Sequence, residues 1–207
     1  MRRALTLIRH GLTDWNVAGR FQGQSDRPLS EEGRRQARRL ARRTARFGAI
    51  DRVVASPLAR ARETAELAFP GHTVTTDARL MELDFGAFEG ATALENARRS
   101  DWEAWYADPF QHPTPGGESY RDLRDRAVAW YEELPRDLAH VVAVTHSGTI
   151  QMLLAHVLGV EHPRWRKRIY VRHSSVSRIV MRAGETVVER VNDTRHLDEN
   201  GADPFWE

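Results

Sequence analysis

Three short apolar runs, ALTLI (4–8), RVVA (52–55) and VVAVT (141–145), limit the possible folds of this chain more than any other feature. Each is rich in Val, Leu, Ile or Ala without polar alternation, the pattern of a strand buried on both faces. Segments of helical periodicity separate them. Ser30 precedes Glu31 and Glu32, a helix start whose acids suit the positive dipole end. Ala37, Leu40, Ala41, Thr44 and Phe47 then share one face, which carries this helix to about Phe47. Ser56-Pro57 opens a second helix, with proline at its first position. GESYRDLRDRAVAWYEEL (117–134) and GTIQMLLAHVLG (148–159) supply two more, the latter stopping at Gly159. HTVTT (72–76) is a weaker strand, and SVSRIVMR with TVVERV, joined by Ala183-Gly184-Glu185, reads as a terminal hairpin. Strands alternating with helices imply a mainly parallel sheet covered on both sides, an α/β fold.

The chain's 207 residues, 41% hydrophobic and 29% charged, suffice for one sizeable core. Residues 1–207 read as a single domain, with an excursion at about 84–118 that holds Trp102 and Trp105 and forms a small cap. No apolar run approaches the ~20 residues of a membrane span. MRRALTLIRHG is too short for a secretion signal and ends in charge, so no membrane partner and a cytoplasmic location are expected. The absence of cysteine excludes thiol catalysis, disulfides and cysteine-ligated zinc. Arg34, Arg35, Arg38, Arg39, Arg42, Arg43 and Arg46 line one helix, but the formal net charge is only +2. That stripe reads as a solvated face rather than a nucleic-acid site.

Ligands of parallel sheets gather beyond the carboxyl ends of the strands. Here those ends carry Arg9-His10-Gly11, Ser56-Pro57 leading to Arg60, and Thr145-His146-Ser147-Gly148. Two histidines and two arginines thus converge on one rim. A neutral imidazole is a competent nucleophile towards phosphorus when its second nitrogen is held by an acceptor. Arginines suit the phosphoryl oxygens, and glycines let backbone N–H groups approach an anion. The nine histidines form no HxH or HExxH motif, so no metal is expected.

These residues resemble the histidine phosphatase superfamily, which includes the cofactor-dependent phosphoglycerate mutases. LIRHGLTDWN carries the likeness, followed in order by GRFQGQSDRPLSEEG, ASPLARARETA, LMELDFGAFEG, PGGES and AVTHSG. The resemblance implies a three-layer α/β/α sandwich around a mixed, mostly parallel six-stranded sheet with one antiparallel strand, which the hairpin can supply. It makes His10 the nucleophile, Arg9 and Arg60 the phosphate clamps, and His146 a hydrogen-bonding partner of the phosphoryl group. Glu82 matches the proton donor, which the residues alone do not distinguish from Asp84 or Glu89. Asn16, Gln22 and Gly23 match positions lining the phosphate pocket, with Ser147 and Gly148 beside His146. Ser147 stands where glycine is frequent in the family. Arg62 is a decoy on the other side of its helix.

The resemblance implies a phosphomonoesterase that needs neither metal nor cofactor and takes a small phosphate ester. The stretch after Gly90 is shorter than the basic, aromatic insertion of the mutases, and the spacing of Arg98 and Arg99 does not match a second phosphate site. A mutase is the alternative reading, and a non-catalytic phosphoprotein-binding module a more distant one. The second Arg-His pair, Arg172-His173, matches no catalytic block and is expected to be structural, or at most near the pocket.

Overall fold

The computed structural model describes residues 2–160, 168–182 and 184–197. Six strands form one sheet: β1 (Arg3–Arg9), β2 (Arg52–Ala55), β3 (Val74–Thr76), β4 (His140–Thr145), β5 (Val176–Arg182) and β6 (Glu185–Asp193). Their spatial order is β3-β2-β4-β1-β5-β6. β3, β2, β4 and β1 pair in parallel, whereas β5 is antiparallel to both β1 and β6. The terminal hairpin therefore provides the one reversed strand; Ala183 of its turn lies outside the described residues.

The helices are α1 (Asp14–Val17), α2 (Glu31–Thr44), α3 (Ala59–Ala68), α4 (Ala93–Asn96), α5 (Trp102–Ala107), α6 (Tyr120–Glu132) and α7 (Ser147–Leu158). Successive residues of the central strands point to opposite faces. Leu5 and Leu7 pack with Leu123, Ala127, Ile150 and Leu153 of α6 and α7. Ile8 and Val142 pack with Leu40, Ala61 and Ala65 of α2 and α3. Both faces are thus buried, which is why these strands show no polar alternation.

Several boundaries differ from the sequence reading for identifiable reasons. The Ser30 hydroxyl accepts from Gly33 N as expected, but α2 ends at Thr44, whose Oγ1 donates to Ala68 O at 2.6 Å and anchors the end to α3. Pro57 does not open α3. That helix begins at Ala59, where the N–H donates to Asp26 across the loop at 2.7 Å, so a distant carboxylate sets the start. Gly159 ends α7 with φ +63°, the left-handed conformation glycine adopts without strain. The arginine stripe of α2 is mostly solvated, yet Arg43 turns inward to pair with the buried Asp193 carboxylate at 2.7 Å. Between 84 and 118, Trp105 is fully enclosed by Phe21, Phe85, Phe88 and Trp102, which makes it a packing residue, whereas Tyr106 is exposed.

Candidate active site

The carboxyl ends of β1, β2 and β4 lie side by side, because Arg9 pairs with Thr145 and Ala55 with Val144. His10 follows β1. Its N–H donates to Thr145 O at 2.9 Å, and its carbonyl accepts from Ser174 N at 3.1 Å. Its ring is 3% exposed, and Nδ1 lies 2.7 Å from Gly11 O. A carbonyl only accepts, so Nδ1 bears the proton and Nε2 the lone pair. Burial, then the charges of Arg60 and Arg9, lower the His10 pKa well below 6.5, against the Gly11 contact. The imidazole is neutral, with its lone pair on Nε2.

Gly11 has a different task from the one expected. Its N–H donates to Thr64 Oγ1 at 3.1 Å, and a Cβ there would strike the backbone of Gly33. Thr64 Oγ1 in turn donates to Arg60 O at 2.6 Å, tying the His10 loop to the arginine-bearing helix.

Arg60 is completely buried. Its Nη2 donates to Gly23 O at 2.6 Å and its Nη1 to Ser25 O at 3.1 Å, while Nε has no partner among the described residues. Desolvation lowers its pKa to about 10, opposed by Glu82, Asp26 and Glu89, so it stays charged at neutral pH. Arg62 is exposed on the outer side of α3 and pairs with Glu66, as a decoy should. The Arg9 guanidinium is seated by Val171 O, 2.7 Å from Nη1.

His146, fully buried, stands at the N-terminal boundary of α7 with its ring centroid 5.0 Å from that of His10. Its Nε2 lies 2.8 Å from Ser56 Oγ, which also accepts from Leu58 N at 3.3 Å. The hydroxyl keeps its proton and a second lone pair, so this contact is compatible with either ring tautomer; where Ser56 donates to Nε2, Nδ1 carries the ring's own proton. Nδ1 is buried without a partner among the described residues, and in that tautomer it is a donor suited to an anion. Burial, then Arg60, His10 and Arg9, lower the His146 pKa well below 6.5.

The geometry separates the three carboxylates that the motif left open. Glu89 accepts from Gln24 N, Ser25 N and Phe85 N, bracing the loop that presents Gly23. Asp84 Oδ1 accepts from Gly86 N at 2.8 Å, within its own turn. Glu82 instead accepts from Gly148 N, in the first turn of α7, at 3.1 Å. A Cβ at 148 would collide with its other oxygen, so Gly148 makes room for the carboxylate and its N–H is taken by Glu82.

The other pocket candidates are partly engaged. The backbone N–H of Thr13 donates to Asn16 Oδ1 at 3.1 Å in the capping box of α1. Gln22 Oε1 accepts from Thr13 Oγ1 at 2.7 Å, and its buried Nε2 has no partner among the described residues. Ser147 is half-buried at the start of α7. His173 is brought to the site from the second Arg-His pair, its ring edge-on to His10 with centroids 5.6 Å apart. Among the described residues, no three His, Asp or Glu side chains gather as a metal-ligand set. No described helix is long and apolar enough to cross a membrane.

The chain is similar to known proteins along most of its length. A curated relative from Salmonella paratyphi B, named "Probable phosphoglycerate mutase GpmB", is 35% identical, the match covering 95% of this chain and 96% of that protein. The crystal structure of an alpha-ribazole phosphatase from Shigella flexneri superposes with a TM-score of 0.84 at 27% identity, covering 94% of this chain and 97% of that one. A mycobacterial glucosyl-3-phosphoglycerate phosphatase superposes with a TM-score of 0.80 at 30% identity, covering 93% of this chain and 99% of that one. The model of the histidine phosphatase superfamily, branch 1, matches residues 5–194. The chain belongs to the histidine phosphatase superfamily, and with it to the enzymes that act on phosphoric monoesters.

Proposed function

We propose that this chain is a metal-independent phosphomonoesterase that hydrolyses a small phosphorylated metabolite through a phosphohistidine at His10. The observation that carries the reading is the His10–Gly11 contact, which fixes a buried, neutral imidazole in the tautomer a nucleophile needs, under the influence of two arginines. Nε2 forms the N–P bond as the ester P–O bond breaks, and Glu82 gives the departing oxygen its proton. Water then attacks phosphorus, Glu82 takes back a proton, and the N–P bond breaks to release phosphate and His10. Arg9, Arg60 and His146 hold the equatorial oxygens, where preorganised donors are worth most. Asn16, Gln22, Gly23, Ser147 and Gly148 line the same pocket, within a single domain.

The solved relatives named as phosphatases, and the short segment after Gly90, support hydrolysis over transfer between two positions. The expected result is hydrolysis of an aryl phosphate that survives EDTA, with a base-stable, acid-labile phosphoenzyme absent from His10→Ala. Chelator-sensitive turnover, or undiminished turnover in His10→Ala, overturns the reading. The name carried by the 35% identical relatives favours one second reading, a phosphoglycerate mutase. Conversion of 3-phosphoglycerate that depends on 2,3-bisphosphoglycerate would establish it.

A further inference from the structure

The proposed chemistry uses two histidines, yet the site contains three. β4 and β5 are the two neighbours of β1. His146 follows β4 and His173 precedes β5, so His10 stands between two imidazoles, with ring centroids 5.0 Å and 5.6 Å from its own. His173 is only 8% exposed, and its Nε2 is buried with no partner among the described residues. A phenylalanine would fill the same edge-on position without burying an unpaired nitrogen, which is costly.

The segment carrying His173 is held with unusual firmness. Ser174 has φ +56°, a conformation that non-glycine residues keep only where their surroundings impose it. Its N–H donates to His10 O, Ser175 O accepts from Arg9 N, and Val171 O accepts from the Arg9 guanidinium. Arg172 N is fixed by Asn192 Oδ1 at 2.6 Å. The same five residues thus position the clamp, the nucleophile's backbone and the third imidazole.

We propose that His173 is a further phosphoryl-binding residue, its Nε2–H donating to an oxygen of the phosphoryl group transferred at His10. The assignment rests on the phosphohistidine reading above. Burial, then Arg9, His10 and Arg60, lower the His173 pKa well below 6.5. The ring is therefore an uncharged donor, adding direction to a pocket whose charge Arg9 and Arg60 already supply.

Vanadate, which reproduces the five-coordinate phosphoryl geometry, is the probe. His173→Phe keeps the ring volume without the donor, whereas His173→Gln places an amide nitrogen near the Nε2 position. The expected result is vanadate affinity and kcat at least about 10-fold lower in His173→Phe, and most of that loss recovered in His173→Gln. The reverse order, with Phe near wild type and Gln impaired, is the mark of a packing residue and overturns the proposal. Should neither variant fold, imidazole ¹H–¹⁵N spectra of the wild-type protein decide. A His173 Nε2 resonance that shifts on vanadate binding supports the contact, and one that stays in place overturns it. A wild-type protein that neither binds vanadate nor hydrolyses the ester overturns the phosphohistidine reading itself, and this assignment with it.

Discussion

The N–H of Gly148 donates to the Glu82 carboxylate at 3.1 Å, and any Cβ at 148 would collide with the other carboxylate oxygen. Glycine is therefore required here by a neighbouring acid, since its φ is an ordinary helical one. The prediction concerns Gly148→Ala. Helix propensity favours alanine, yet Glu82 must move aside, and a displacement of about 1 Å at the proposed proton donor costs roughly 100-fold in rate. We expect kcat to fall by about 10–100-fold with thermal stability nearly unchanged. Parallel kcat and melting measurements test this; an unimpaired Gly148→Ala enzyme would remove Glu82 from the acid's role.

Ser56 holds the His146 ring by its Nε2 side. Its Oγ engages Nε2 at 2.8 Å while accepting from Leu58 N. In Ser56→Ala the ring loses the contact that holds its angle. The expected loss is about 10–100-fold in kcat/KM, of the size found when a positioned donor is misaligned. Ser56→Thr, which keeps the hydroxyl, should retain most activity, and equal damage from both substitutions would point to packing alone.

Arg126 supports Glu82 from behind. Its guanidinium donates to the carbonyls of Arg79, Met81 and Glu82 at 2.7–2.9 Å and to both oxygens of Glu118 at 2.9 Å. Arg126→Met removes the donor these groups share, although Met81 O keeps Thr149 Oγ1, Glu82 O keeps Gln24 Nε2 and Glu118 keeps Asp84 N. We predict a loss of about 2–4 kcal/mol of stability, together with reduced kcat. Glu118→Gln, which keeps an acceptor for the fork, should cost less than half as much in urea denaturation.

The architecture was legible because both faces of the central strands are buried, which leaves unbroken apolar runs such as ALTLI and VVAVT. The strand-end residues were legible for a related reason, since Arg9, His10 and His146 interrupt those runs with polarity. What was not legible depends on contacts between distant residues. Asp26 sets the start of α3, Glu89 braces the loop of Gly23, and the N–H groups of Gly11 and Gly148 serve Thr64 and Glu82 rather than an anion. His173 had a local signal, the repeated Arg-His pair, but no glycine or strand end followed it. Only the pairing of β1 with β5 brings it beside His10.

The three clustered imidazoles also set an acid limit on stability. His10, His146 and His173 are each held well below the ordinary pKa of 6.5, by burial first and by Arg9 and Arg60 among the nearby charges. Above pH 6.5 these groups are neutral both folded and unfolded, and contribute nothing that depends on pH. Below it the unfolded chain takes up protons that the folded chain refuses, so stability falls with decreasing pH. The slope is at most about 1.4 kcal/mol per pH unit for each histidine. His140, also lowered by burial, adds to the same trend. The shifted carboxylates act lower, because Asp77, Asp122 and Asp193 lose their contributions only as pH falls below their ordinary value of 3.8. The window between pH 5 and 6.5 therefore belongs to the histidines. Denaturation across it should show a steep decline for the wild-type protein and a shallower one for His173→Gln, which removes one of the refused protons. A slope unchanged by that substitution would mean that His173 already takes up its proton in the folded state.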